Sequence, residues 1–497
     1  MSFSFPRSSF LFFLLAFCLS LASCLPAPVA SPPPGPTVTY NPFATLSPMP
    51  FAPQAETATP LPTFTPTLAL PTLTATFAPG TRPRYNMQVM LNYAAHSLSV
   101  DEYITYVNAA GVPLETLVLA VEPNRQEGVF ALKTVFAPRV SGYDLNGSRL
   151  EVRLRPALAP GESLELYLHF NLSLPPADQF HLFGYRNGQM NLVDWYPFIV
   201  PYRQGWVLHE PGEVGEYLVY EAADFNISIS PTGAVTDVVI AAPAAPNRNN
   251  YRLTNARTFA FSVGERLVSA SKMAGETTVT SFFFAEEETQ GRRVLDEAAL
   301  ALETYRRLFG PFPYPALTIV ETDFYDGMEY DGLIFVGRKF YQQDDGTKLN
   351  YLIALTAHET AHQWWFGLVG SDQALEPWLD EALATYSEYL FYEQNYPGVA
   401  AAWWTFRVDA FSPSGFVDAT IYETDDFQTY ANAAYLRGAQ FLRDLRARLG
   451  DEAFFAFLKA YAAQMAGKIA TRQDFFGILA SYAGAGIDDW IGEYFRE

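Results

Sequence analysis

The stretch from Leu352 to Gly367 is apolar and carries His358-Glu359-Thr360-Ala361-His362, a pattern that predicts a helix. Residues four apart on a helix lie one above the other, so both imidazoles can grip one ion while Glu359 stands beside it. Two protein ligands are too few for a catalytic zinc, which takes three and keeps a fourth position open. Glu381 supplies the third from the next apolar-periodic segment, Trp378 to Tyr392, which reads as a second helix. The competing reading is a helix that carries two histidines by chance. Scarcity weakens it, because the chain has six histidines and the others (His96, His169, His181 and His209) lie far upstream. An imidazole pair on a helix rich in Leu, Trp and Phe also needs a partner. The expected cofactor is one Zn2+ per chain, held by His358, His362 and Glu381.

Further stretches fall in a telling order. The spacing His-Glu-x-x-His, eighteen residues, Glu is met by His358, Glu359, His362 and Glu381. Trp378-Leu379-Asp380-Glu381-Ala382-Leu383-Ala384 is similar to Trp-Leu-Asn-Glu-Gly-Phe-Ala, with Asp for Asn and Ala for Gly. Gly327-Met328-Glu329-Tyr330 is similar to Gly-Ala-Met-Glu-Asn, with Tyr330 where Asn is usual, and Tyr435-Leu436-Arg437-Gly438-Ala439 to Tyr-x-Lys-Gly-Ala. Leu308 to Pro315 and Asp194-Trp195-Tyr196-Pro197 add to the series. Over residues 84 to 497 the chain thus resembles the aminopeptidase N family of zinc metallopeptidases, which are gluzincins and include the leukotriene hydrolase/aminopeptidase.

The resemblance implies a zinc aminopeptidase. It makes Tyr435 the catalytic tyrosine and Gly327, Met328 and Glu329 a substrate-binding segment, with Glu329 on the protonated amine of a peptide. It also implies a glutamine or glutamate from the β-rich domain on that amine, within Gln179 to Tyr196, where Gln179 and Gln189 are the candidates. The chain stops about sixty residues after Tyr435. The large helical C-terminal domain of many relatives is therefore expected to be absent and the cleft to be more open.

Residue types support the same chemistry. Zinc held by two imidazoles and a carboxylate polarises a carbonyl and brings the pKa of a bound water towards about 7. Glu359 is placed to take that water's proton and pass it to the leaving amine. A phenol aimed at the carbonyl oxygen stabilises the charge that grows there. Tyr435 is the candidate for that role and Tyr430 the competitor, among 29 tyrosines whose ordinary place is the core or the surface. Glu329 sits in an acidic stretch with Asp323, Asp326 and Asp331, so a solvated carboxylate is its plain reading. Glu388, seven residues beyond Glu381, is either a residue that orients a ligand or a surface glutamate.

The first 23 residues have one basic residue, Arg7, an apolar run from Phe10 to Leu19, and Leu21-Ala22-Ser23 before Cys24. This reads as a secretion signal that resembles the bacterial lipobox, with lipid expected on Cys24. An uncleaved anchor helix is the alternative, and either places the chain outside the cytoplasm on a membrane. Cys18 leaves with the signal, so no disulfide is expected in the mature chain. Residues 24–83, rich in Pro, Thr, Ala and Ser, cannot bury a core and read as a tether.

The remainder suffices for two domains. Alternating runs such as Tyr103 to Val107 and Leu164 to Leu168, with turns at Asn146-Gly147 and Asn187-Gly188, predict a β-rich domain over 84–280. Helical patterns at Arg292 to Leu308 and Tyr435 to Leu449, with strands at Ala316 to Val320 and Leu333 to Val336, predict an α/β domain over 281–497. The expected fold is α+β, and the resemblance makes it a saddle-like β domain before a thermolysin-like catalytic domain. A net charge of −21 argues against nucleic acid as a partner. Three readings stand: an aminopeptidase on extracytoplasmic peptides, an endopeptidase with an open cleft, and an idle peptide-binding lipoprotein.

Overall fold

Alternation of apolar and polar residues sets the first half of the chain into strands. Arg84–Asn92 and Ser163–Ser173 bury every second side chain, as a sheet with one face on a core and one in water requires. The computed structural model describes residues 82–244, 247, 249–483 and 490–496, all within one compact unit, Thr59–Glu497. The expected signal, the lipid-bearing Cys24 and the tether as far as Thr81 lie outside the described residues.

A six-stranded sheet runs in the order Asn250–Ala256, Ala223–Pro231, Arg84–Asn92, Ser97–Val107, Ser163–Ser173, Phe130–Phe136. It shares a core with a four-stranded sheet built on Leu114–Ala120 and Arg149–Leu158, where Leu91, Val100, Ile104, Leu117 and Leu119 are buried. The Asn187-Gly188 pair turns a hairpin with φ of 49° and 77°, the left-handed geometry that a two-residue turn demands. The second half packs helices Glu288–Phe309, Tyr351–Ala361, Trp378–Asn395 and Gly438–Leu449 around Trp378, Leu383, Leu390 and Phe441. The fold is α+β. Among the described residues no helix is long and apolar enough to cross a membrane.

The helical region has its own five-stranded sheet, ordered Leu267–Ala274, Thr277–Phe284, Ala316–Thr322, Leu333–Gly337, Gly327–Tyr330. Its strand Thr277–Phe284 runs across residue 280. The last strand, Gly327–Tyr330, is an edge and pairs with Leu333–Gly337 through a turn at Asp331-Gly332. Buried Asp331 accepts hydrogen bonds from Thr258 N (2.8 Å), Thr258 Oγ1 (2.6 Å) and the Tyr314 hydroxyl, which ties this hairpin to the β-rich region. Buried Arg257 makes a second tie, donating to the carbonyls of Phe366 (2.6 Å), Tyr220 (2.9 Å) and Lys468 (2.6 Å).

One prediction is corrected. The helix expected to reach Gly367 ends at Ala361, with His362 as its cap. Beyond it, Gly367 N bonds to His362 O, Leu368 N to Gln363 O and Val369 N to Trp364 O, each spanning five residues. The chain thus widens out of α geometry, and Trp364 and Trp365 are both buried there.

Candidate active site

Asn350 caps the first site helix by accepting from Ile353 N at 3.0 Å, which fixes where its turns begin. The turns then bring His358 and His362 to one face, opposite Glu381 on the helix Trp378–Asn395. Glu381 Oε2 lies 3.3 Å from His358 Nε2 and 3.6 Å from His362 Nε2. One donor atom from each of the three lies within 4.8 Å of the others, a separation that one ion at bonds of about 2 Å can bridge. All three residues are buried.

The far sides of the imidazoles are also committed. His358 Nδ1 is 2.9 Å from Glu388 Oε1, and His362 Nδ1 is 2.5 Å from Asp380 Oδ1. A carboxylate at Nδ1 accepts a hydrogen bond from the Nδ1–H and holds the proton there, which leaves the Nε2 lone pair for a metal. Asp380, which stands where Asn is usual, has a second task, accepting from Gln373 Nε2 at 3.1 Å. Glu388 is no surface glutamate: its side chain is fully buried and held by Arg407 at 2.6 and 2.7 Å. Against the effect of burial, Arg407 and His358 hold its carboxyl below the usual range.

Charge supports the fit of a cation. Glu359, Glu381, Asp380, Glu329 and Glu216 gather around two imidazoles, and Glu359 Oε2 is buried with no hydrogen-bond partner among the described residues. Burial, with His362 opposing, pushes Glu359 well above the usual carboxylate range. Burial and then Glu381 push Glu216 up to about 8. A divalent ion among these groups relieves their repulsion, and the donor set of two imidazoles and a carboxylate suits zinc.

The remaining predicted residues surround this centre. Gly327 lies against Glu359, where an added β-carbon would stand 2.1 Å from Oε1. Glu329, two residues along the edge strand, brings a carboxylate oxygen into a group with Glu359 and His362 in which all atoms lie within 4.8 Å. Met328, between them, is partly exposed. The acidic stretch therefore divides: Asp331 clamps the hairpin, Asp323 bonds Asn187, Asp326 caps Gly327 N at 3.0 Å, and Glu329 faces the cluster.

Tyr435 sits on a π-helical turn, Asn432–Arg437, a widening that recurs at functional sites. Its ring lies parallel to that of His358 at 6.3 Å, and the residue is close enough to Glu381 to interact with its carboxylate. The competitor Tyr430 packs on Tyr435 at 5.6 Å and backs Gly215 instead.

Glu216 escaped the sequence reading. It lies in an irregular segment, 207–220, and Gln189, one of the two candidates expected for a β-domain ligand, is engaged elsewhere. Gln189 is buried and donates to Ser262 Oγ and Glu321 O, both at 3.0 Å, while the backbone oxygen of Gln179 accepts from Tyr325 N. Gly215, at φ 73°, lets the chain pass close to Ile421 and Tyr430, and Glu216 beside it interacts with Glu381, Asp380 and His362. The one available signal was the Gly212-Glu213-Val214-Gly215-Glu216 run, whose glycines mark a tight approach.

Two histidines one helical turn apart, a glutamate after eighteen intervening residues and an edge strand beside them make the donor arrangement expected of a zinc metallopeptidase. Residues 294–494 match the Peptidase family M1 domain. It is 29% identical over 218 residues to Aminopeptidase M1-D of Oryza sativa subsp. japonica, covering 40% of this chain and 24% of that protein. It is 22% identical over 427 residues to Aminopeptidase N of Lactococcus lactis subsp. lactis, covering 76% and 50%. The chain spans about a quarter of the length of the plant aminopeptidases it matches. Its fold is shared with the M1 zinc metallopeptidase of Deinococcus radiodurans, at a TM-score of 0.59 and 20% identity, covering 84% of this chain and 94% of that one. A mutant of that protein was solved with a Tyr-Ser-Ala substrate, at a TM-score of 0.59 and 21% identity, covering 82% and 93%.

Proposed function

We propose that this protein is a zinc-dependent aminopeptidase that removes N-terminal residues from extracytoplasmic peptides. The observation that carries the reading is the pair of carboxylates beside the metal donors: Glu329 on the edge strand and Glu216 from the β-rich region. A protonated α-amine is the group that two converging carboxylates hold best. His358, His362 and Glu381 would hold the zinc, which when bound polarises the scissile carbonyl and acidifies a water.

The other roles belong to the chain itself. Glu359 takes the proton of the attacking water and returns it to the leaving amine. Tyr435 donates its hydroxyl proton in a hydrogen bond to the carbonyl oxygen as charge develops there. Glu216 and Glu329 hold the amine, so the first peptide bond, and no later one, reaches Glu359. Residues 1–23 act as a lipoprotein signal, lipid on Cys24 attaches the protein to the outside of a bacterial membrane, and the Pro/Thr-rich residues that follow act as a tether; the lipobox-like Leu-Ala-Ser-Cys supports this.

The test is digestion of a peptide library and its N-acetylated twin by the zinc-loaded full chain, read by mass spectrometry with Glu359→Gln as control. Stepwise trimming of the free library alone is expected. Internal cuts in both libraries would make it an endopeptidase, and no cuts in either would leave a peptide-binding protein.

A further inference from the structure

The outer face of the six-stranded sheet carries a feature for which the zinc cleft has no use. Across three neighbouring strands Tyr103 lies opposite Tyr167, and Tyr167 lies opposite Phe136. Directly opposed residues share a face of the sheet, so three aromatic rings stand in one row on the solvent side. The Tyr103 and Tyr167 ring centroids are 5.0 Å apart, and Phe136 is 61% exposed. With Pro138, Ser163 and Leu164 these rings line a groove of about 540 Å³. Such a row on an otherwise polar sheet face is costly to leave in water.

The chain itself supplies a fitting occupant. Residues 60–81, which lead into the first strand, hold five prolines and no charged side chain. Within them Thr72-Leu73-Thr74-Ala75-Thr76-Phe77 alternates strictly between polar and apolar. An extended segment of that pattern puts Leu73, Ala75 and Phe77 on one side, about 7 Å apart, and the threonines on the other. Pro71 and Pro79 flank this run and restrict the chain at either end, so less conformational freedom is lost on docking.

The strand register puts this segment within reach. Arg84 lies opposite Thr105, Thr105 lies opposite Glu165, and Ser163 and Glu165 line the groove. The chain therefore enters its first strand two strand spacings from the groove, roughly 10 Å. The links from Phe77 to Arg82 span up to about 17 Å, which covers that distance with slack. We propose that this groove is the docking site of the chain's own Pro/Thr-rich segment, with Leu73 and Phe77 laid against Tyr103, Tyr167 and Phe136. Docking covers the exposed rings and shortens the reach of the residues before it.

The test uses the full chain with a benzophenone amino acid in place of Phe136. Irradiation and mass spectrometry should find links within one chain to residues 70–80, with the yield lowered about tenfold by Leu73→Asp with Phe77→Asp. Links between two chains, or a yield that this double variant leaves unchanged, would overturn the proposal. As a second readout, Tyr103→Ser in the full chain should speed proteolytic nicking within residues 70–80 about tenfold and leave peptide trimming at the zinc site unchanged. An unaltered nicking rate would equally overturn it. Neither readout depends on whether the cleft acts as an aminopeptidase.

Discussion

Glu388 Oε1 lies 2.9 Å from His358 Nδ1 and 2.6 Å from Arg407 Nη2, so one buried carboxylate joins a candidate metal ligand to a buried cation. Substitution separates its two tasks. Glu388→Gln keeps a group that can accept from Nδ1 but weakens the pull on the imidazole. Zinc affinity should fall about ten- to hundredfold, as measured by competition with a chelator. Glu388→Ala also removes the carboxylate opposite Arg407 and should cost about 3–5 kcal/mol of stability in urea unfolding. Equal zinc affinity in wild type and Glu388→Gln would show that the contact does not tune the ligand.

Gly327 and Glu359 meet so closely that a side chain at 327 must displace the carboxylate, since a β-carbon would lie 2.1 Å from Oε1 and 2.5 Å from Cδ. Gly327→Val should therefore lower kcat about a hundredfold with zinc content intact. Metal analysis beside steady-state kinetics checks this. Loss of zinc in step with activity would place the damage at the ligands instead.

Glu216 and Glu329 come from different regions of the chain yet interact electrostatically, and each should contribute a charge-assisted hydrogen bond to an amine. Removing either, as Glu216→Ala or Glu329→Ala, should cost about 1.5–3 kcal/mol, a drop of roughly ten- to hundredfold in kcat/KM for free-amine peptides. N-acetylated peptides lack the charged amine and should be affected much less. Equal losses on both substrates would remove these carboxylates as the amine site.

The grouping of His358, His362 and Glu381 was legible because helical period carries it: the two histidines are one turn apart, and Glu381 falls in a second periodic run. The strands Ala316–Thr322 and Leu333–Gly337 were legible as short β-branched runs with turn residues at their ends. Glu216 was not, because its segment has no period and its position is set by Ile421 and Tyr430, two hundred residues away in sequence. Asp380 looked like a mere departure from a motif. Its bond to His362 depends on the rotation of one helix against another, which local sequence does not encode. The end of the first site helix failed similarly, since the apolar pattern continues through Trp365 while tertiary packing widens the turns.

Glu321, on a strand of the five-stranded sheet, gives the fold a pH dependence of its own. It lies on the strand Ala316–Thr322 with a fully buried side chain, accepting from Phe284 N at 2.9 Å. Arg338 stands 3.5 Å away but is engaged by Glu287 at 2.9 and 3.0 Å. Burial consequently outweighs the cation and raises the carboxyl from its ordinary 4.5 to about 8. Between those values the folded chain keeps a proton that the unfolded chain has lost. Stability contributed by this group is complete below about pH 4.5 and is lost as pH rises towards 8, by up to about 1.4 kcal/mol per unit. Glu321→Gln keeps an acceptor for Phe284 N and carries no titratable proton. Urea unfolding at pH 6, 7 and 8 should therefore show the wild type losing stability more steeply than Glu321→Gln, by about 1 kcal/mol per unit. Parallel slopes would mean that Glu321 is already ionised in the folded chain and that Arg338, rather than burial, governs it.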